Sequence, residues 1–201
     1  MFTTRLAPTA TTLIRMDHTH TLLTFRRYHD DTPMHLKRGL VDTVCLALEV
    51  HAQLEEEIFY PALRAVMPED PAMEKSVPEH AEMRRLIGEL RALGPDDARR
   101  DELFMTLMRD VLHHVADEET VLLPAAERLL ADELRPLGAR MLRRRAELVL
   151  PRAGELVSNV ARATPPSKWL WLAGAAALAG AAVAAAANGR GRRLEHRLPR
   201  F

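Results

Sequence analysis

The stretch HAQLEEEIFYP, residues 51–61, and its later copy HVADEETVLLP, residues 114–124, decide how this sequence folds. Each copy begins with a histidine and has glutamates four and five residues later and a proline ten residues later. Residues four apart lie on the same face of an α-helix. The repeat therefore predicts two helices that each present a His–Glu pair, related by pseudo-two-fold symmetry around one site.

Both His–Glu pairs continue an apolar face at helical spacing. The face on the second helix consists of Leu40, Val44, Leu48, His51, Glu55 and Ile58. The face on the fourth consists of Leu103, Leu107, Val111, His114, Glu118 and Val121. The first helix groups His18 with Ile14, Leu22 and Phe25, and the third groups His80 with Met83, Ile87 and Leu90. All of these polar side chains are therefore expected to point into the core.

Proline-containing turn signals at 31–33, 67–71 and 94–97 divide the body of the chain into long segments. The apolar residues of these segments are mostly good helix formers, and short connections between long helices favour antiparallel neighbours. The expected fold is all-α, an antiparallel up-down four-helix bundle over residues 10–130 followed by a C-terminal hydrophobic helix. Balanced charge, with 28 basic and 28 acidic residues, argues against a nucleic-acid partner.

Six ligand-type side chains on core faces need a shared partner. Burying a carboxylate or an unpaired imidazole among leucines costs several kcal/mol. A pair of metal ions removes that cost, and mixed imidazole and carboxylate donors suit iron, with manganese and zinc as less specific alternatives. The candidate metal residues are His18, His51, Glu55, His80, His114 and Glu118.

Over residues 12–130 the ordered motifs resemble the hemerythrin HHE cation-binding domain. The resemblance rests on Asp17-His18 with Phe25, the two HxxxEE segments and Glu79-His80. It implies a four-helix bundle around a diiron centre of two iron ions, oxo- or hydroxo-bridged. It also implies that the same six residues are the ligands and that both glutamates bridge the irons.

The sequence departs from oxygen-carrying hemerythrins at two positions. These proteins have a second histidine four residues after the one on the third helix, where this chain has Arg84. They also have an aspartate five residues after the last histidine, whereas here the carboxylate of Glu118 comes four residues after His114. A guanidinium cannot ligate a cation, so Arg84 is expected to turn toward solvent or a carboxylate. The departure argues against stable, reversible oxygen carriage.

The expected function is reaction with, or sensing of, oxygen, peroxide or nitric oxide at a membrane. The alternatives are iron storage without turnover and a structural bundle with a vestigial site. A sensor and a slow peroxidase would use the same ligands, so the residues do not decide whether the chain is an enzyme.

The C-terminal third predicts a membrane anchor. Residues 131–160 read as a basic amphipathic extension, 161–168 as a linker, 169–187 as an uncharged transmembrane helix and 188–201 as a basic tail. Membrane lipid and a second copy of the chain, bound through this helix, are the expected partners. With no export signal recognised, the metal-binding domain is expected to face the cytoplasm.

Several neighbouring residues compete for roles at the site. His18 is preferred to His20 as the inward residue, and His114 to His113. Glu79 is assigned to a capping box that starts at Ser76, ahead of a metal-site role. Glu56 and Glu119 are interpreted as solvated, with contact to a ligand as the alternative.

Overall fold

The computed structural model describes residues 7–94 and 97–164, which form helices with no strand among them. The α-helices are α1 Ala10–Phe25, α2 Met34–Leu54, α3 Tyr60–Arg64, α4 Pro71–Ala92, α5 Arg99–Asp117, α6 Leu123–Leu129, α7 Leu134–Val149 and α8 Ala153–Arg162. π-helical turns, Glu55–Phe59 and Glu118–Leu122, join α2 to α3 and α5 to α6, so that each pair is one continuous rod. The expected proline-rich connections separate the four long segments.

The four long segments pack as an antiparallel bundle. His18 on α1 contacts Glu118 at the end of α5, whereas Phe25 at the end of α1 contacts Phe104 near the start of α5. Helix α4 runs opposite to α5 as well, because His80 in its middle contacts His114 near the end of α5, whereas the Leu93 carbonyl at its C-terminal end accepts from Arg100 at the start of α5. The helical bundle predicted from the sequence is thus confirmed.

The core has two apolar clusters, one on each side of a polar layer. The first includes Ile14, Leu54, Phe59 and Leu122. The second includes Leu40, Val44, Phe104, Leu107 and Ile87. The buried histidines and glutamates fall between the two clusters along each rod, so they are enclosed by hydrocarbon at both ends.

Helix α4 begins earlier than the sequence suggested. Asp70 is its N-cap, and its carboxylate accepts a hydrogen bond of 2.9 Å from the Ala72 N–H. Ser76 and Pro78 lie inside the helix, and Ser76 donates to the Ala72 carbonyl. The capping box proposed at Ser76 is therefore wrong, because the aspartate–proline pair at 70–71 starts the helix first.

Helices α7 and α8 pack against α1 and α2. The backbones come unusually close at two glycines. A β-carbon at Gly138 on α7 would overlap the Pro8 carbonyl, and one at Gly39 on α2 would overlap the backbone of Ala163. A side chain at either position would push the segments apart.

The expected membrane-anchored localisation needs correction. In the ranges 7–94 and 97–164, no helix is both long and apolar enough to cross a bilayer. The C-terminal hydrophobic helix expected at 169–187 lies outside the described residues. The membrane anchor is therefore not supported.

Candidate metal centre

The structure brings the six predicted side chains together in one buried layer. Each helix of the bundle contributes at least one of them, and none is more than 4% exposed. Two overlapping groups have ligand atoms within 4.8 Å of one another. The groups are His18, His51, Glu55 and Glu118, and Glu55, His80 and His114.

All four imidazoles direct Nε2 toward the middle of the layer. His18 Nε2 lies 3.0 Å from Glu118 Oε2, and His51 Nε2 lies 3.2 Å from Glu55 Oε2. His80 and His114 bring their Nε2 atoms to 3.0 Å of each other. Each of this second pair also lies 3.4 Å from a central glutamate. The inner surface of the site therefore consists of nitrogen and carboxylate oxygen atoms.

The outer nitrogen of each histidine faces a second carboxylate. The Nδ1 distances are 2.8 Å for His18 to Glu119, 3.4 Å for His51 to Asp17, 2.9 Å for His80 to Glu56 and 2.8 Å for His114 to Glu79. An Nδ1–H that donates to a carboxylate fixes the ring and leaves the Nε2 lone pair facing inward, as metal-ligating histidines usually require. Glu56, Glu79 and Glu119 therefore contact candidate ligands, and the solvated and capping interpretations of them are wrong.

Arginines form ion pairs with three of these carboxylates. Arg15 lies 3.0 Å from Glu119, Arg145 binds Asp17, and Arg84 lies 2.7 Å from Glu56. The expectation that Arg84 turns away from the site to a carboxylate is confirmed. Arg84 is thus connected to the site through Glu56, whose carboxylate also contacts His80.

The two central glutamates differ in charge state because they share one buried space. Burial and the neighbouring charge of Glu118 raise the pKa of Glu55 to about 8. Burial opposes ionisation of Glu118 as well, but a hydrogen bond from His18 and the nearby imidazoles lower its pKa below the ordinary value. Although burial disfavours the charged form of His18, the hydrogen bond and charge of Glu118 raise its pKa to about 9. In the metal-free chain, these shifts favour the protonated forms of Glu55 and His18.

The donor set fits a pair of cations. The buried Oε1 of Glu55 and Nε2 of His51 have no hydrogen-bond partner within the described part of the chain. Leaving such atoms unpaired costs about 1–3 kcal/mol each, whereas a bound cation would use both as ligands. Imidazole nitrogens mixed with carboxylate oxygens suit iron and, less selectively, other first-row metals.

Each central glutamate is the first residue of a π-helical turn. In these turns the N–H groups of Tyr60 and Leu123 bond to the carbonyls of Glu55 and Glu118, five residues back. π-Turns inside helices are often found at functional sites. The wider turn also rotates the helix beyond it, so Val121, predicted on the core face, is 38% exposed, whereas Leu122 and Leu123 are buried.

Tyr60 is a member of the site that the spacing analysis missed. Its hydroxyl donates to Glu118 Oε1 at 2.8 Å and lies 3.3 Å from Glu55 Oε2. Its ring stacks on His80, with centroids 5.6 Å apart. The signal was present in the repeat, because the second copy has Leu123 at the matching position and the tyrosine therefore stands out.

A small cavity of about 10 Å³ opens beside the histidines. That volume holds about one water-sized molecule. Its wall combines the imidazoles of His18, His51 and His114 with Asp17, Thr21, Leu48, Met83, Val111 and Val115.

The alternatives considered for the inward positions, His20 and His113, are both exposed and take no part in the site.

Comparison with known families identifies a matching domain. The model of the hemerythrin HHE cation-binding domain matches residues 9–126, and matches again over 74–181. The first match alone covers more than half of the chain and contains all six candidate ligands.

Two known proteins are similar to this chain. A solved hemerythrin HHE cation-binding domain-containing protein from Mycobacterium kansasii superposes with a TM-score of 0.61, covering 77% of this chain and 99% of its own, at 18% identity. At that identity the likeness concerns the fold alone. A protein from Nostoc sp. described as a DNA nickase is 28% identical over 121 residues, which are 60% of this chain and 34% of the relative. The chain thus spans about a third of that relative, whose activity belongs to the whole protein.

Proposed function

The chain belongs to the hemerythrin HHE cation-binding domain family, and on that premise we propose that it binds two iron ions and reacts with, or senses, oxygen, peroxide or nitric oxide. The proposed ligands are the six buried side chains, with Glu55 and Glu118 shared between the two metal positions. Iron bound there would supply electrons for the reduction of a small oxidant.

One observation carries the proposal. Four imidazoles on four different helical segments all turn Nε2 inward, and each is held from behind by its own carboxylate. A bundle that needed only to fold would gain more from apolar residues at these positions, because buried polar groups are costly unless fully paired. The energetic cost of burying these imidazoles and carboxylates is explained if they hold cations in a fixed geometry.

The surroundings limit what can reach the site. The cavity beside His18, His51 and His114 holds about one water-sized molecule, and apolar Leu48, Met83 and other side chains line the rest of its wall. On the Glu55 and Glu118 carboxylates, the Tyr60 hydroxyl supplies a fixed hydrogen-bond donor. These features favour a diatomic molecule or peroxide over a larger substrate.

Metal content is the first test. The full chain, expressed with ample iron, is expected to hold two iron ions per molecule by elemental analysis. His114→Ala should lose iron, whereas the adjacent exposed control His113→Ala should retain it. Zinc in excess over iron under these conditions, or equal loss in both variants, would contradict the proposal.

Rapid mixing then separates the possible reactions. The reduced, iron-loaded chain is mixed with oxygen, hydrogen peroxide or nitric oxide while its absorption spectrum is followed. Repeated turnover of peroxide would identify an enzyme, and a single stoichiometric oxidation would identify a sensor. An unchanged spectrum with all three reagents would refute the reactive function and leave iron binding alone.

A further inference from the structure

Helix α7 lies outside the four rods that bear the candidate ligands, yet one of its side chains reaches the outer carboxylates. Arg145 binds Asp17 through both ends of its guanidinium, at 2.7 Å and 2.5 Å. Asp17 in turn faces Nδ1 of His51 at 3.4 Å. Helix α7 is therefore connected to a candidate metal ligand, His51, through the carboxylate of Asp17.

Arg145 differs from the two other arginines that stand behind the site. Arg15 and Arg84 lie on α1 and α4, which themselves carry ligands, so those contacts tie the bundle to itself. Of the three, Arg145 alone brings in a helix from outside. We propose that Arg145 is a positioning residue for His51, and that docking of α7 and metal binding therefore stabilise each other.

His51 is the ligand on which such support should matter most. Although its Nε2 lies 3.2 Å from Glu55 Oε2, it forms no hydrogen bond in the described structure, whereas Nε2 of each of the other three histidines does. Its outer contact is also the longest of the four, at 3.4 Å. The direction of the His51 ring in the metal-free chain therefore depends on Asp17 staying in place.

A bidentate guanidinium is well suited to hold that carboxylate. Two parallel N–H···O bonds fix both position and orientation. Asp17 is only 18% exposed and Arg145 29% exposed, so water competes weakly for the pair. Without Arg145, Asp17 is free to rotate toward solvent, and the imidazole loses the partner that aims it.

Linkage makes the effect reciprocal. If an ordered α7 raises metal affinity by some factor, bound metal must favour the ordered α7 by the same factor. The inference rests on metal binding at the proposed site, and it adds a consequence for a helix that carries no ligand. Metal loss would loosen α7, which is how the state of the site could be passed to the molecular surface.

The affinity test uses ferrous iron and the full chain under anaerobic conditions, with a competing chelator. Arg145→Gln is expected to weaken iron binding by about tenfold, at the lower end of the effect of losing an outer-shell partner. The matched control is Arg143→Gln, since Arg143 is on the same helix and its side chain is exposed. Equal affinities for the two variants would overturn the proposal, and Arg145→Lys should recover part of the loss.

Hydrogen exchange tests the reciprocal effect on the unmodified chain, so it does not depend on a variant that folds. Amides of residues 134–149 should exchange more slowly with ferrous iron bound than without it, by a factor similar to the affinity change. Unchanged exchange there, with iron demonstrably bound, would refute the coupling while leaving the proposed function intact. Failure of the unmodified chain to bind iron would instead refute the proposed function.

Discussion

Replacing Tyr60 by phenylalanine removes one hydroxyl from the centre of the metal-free site and leaves the ring in place. The hydroxyl donates to Glu118 Oε1 at 2.8 Å, and both residues are almost completely buried. No water can reach the freed oxygen without rearrangement. The substitution therefore measures the worth of a single donor to a buried carboxylate.

The expected loss follows from the charge of the acceptor. Hydrogen bonds to charged groups contribute about 1.5–3 kcal/mol net. Because Glu118 keeps the lower pKa of the two glutamates, it is the charged one at neutral pH. The free energy of unfolding should fall by about that amount, which corresponds to a Tm lower by roughly 3–12 °C for a chain of this size.

The assay is urea unfolding of the metal-free chain at pH 7, with chelator present. Tyr28→Phe is the matched control, because the Tyr28 hydroxyl donates to Asp101, whose side chain is 47% exposed and can bond to water instead. The control should lose only about 0.5–1 kcal/mol. Equal losses for the two variants, at equal m-values, would refute the idea that Tyr60 pairs with a buried charge.

Further predictions concern ligands, pH and packing. His51→Ala should lower iron content and remove the stabilisation that iron gives, since binding and folding are coupled; thermal unfolding with and without iron measures both. In the metal-free chain, protonated His18 stabilises the fold fully below pH 6.5, and this contribution is lost as pH rises through about 9; the raised pKa of Glu55 acts in the same direction up to about pH 8. Urea unfolding should therefore show stability falling from pH 6.5 to 9, and bound iron, which needs deprotonated ligands, should weaken or reverse that slope. Gly88→Ala should raise stability by about 0.5–1 kcal/mol because its β-carbon meets open space, whereas Gly138→Ala should lower it.

The parts of the structure that follow from local spacing could be predicted from the sequence. The four-residue intervals in His51–Glu55 and His114–Glu118 put each pair on one helix face. Because the other residues on that face are apolar, the pattern predicted that both pairs lie in the core. Proline placed the connections between the long segments. All of these signals depend only on residues within a few helical turns of one another.

What was missed depends on contacts or backbone shifts that spacing does not record. Arg145 and Asp17 are 128 positions apart, so no local pattern could pair them. Val121 left the core because the π-turn at Glu118 adds a residue to the turn, which a fixed helical period does not allow for. Glu79 was assigned to a cap because a serine three positions earlier imitated one, although Asp70 had already started the helix.

The exchange of Tyr60 for Leu123 between the two copies of the repeat has a consequence for how the site would fill. The phenol contacts His80, whereas Leu123, at the matching position of the other copy, offers only hydrocarbon. The two cations would therefore have chemically different surroundings. Titration of the metal-free chain with ferrous iron should then proceed in two resolvable stages. After one equivalent of iron has been added, a different metal ion should be able to bind at the second position.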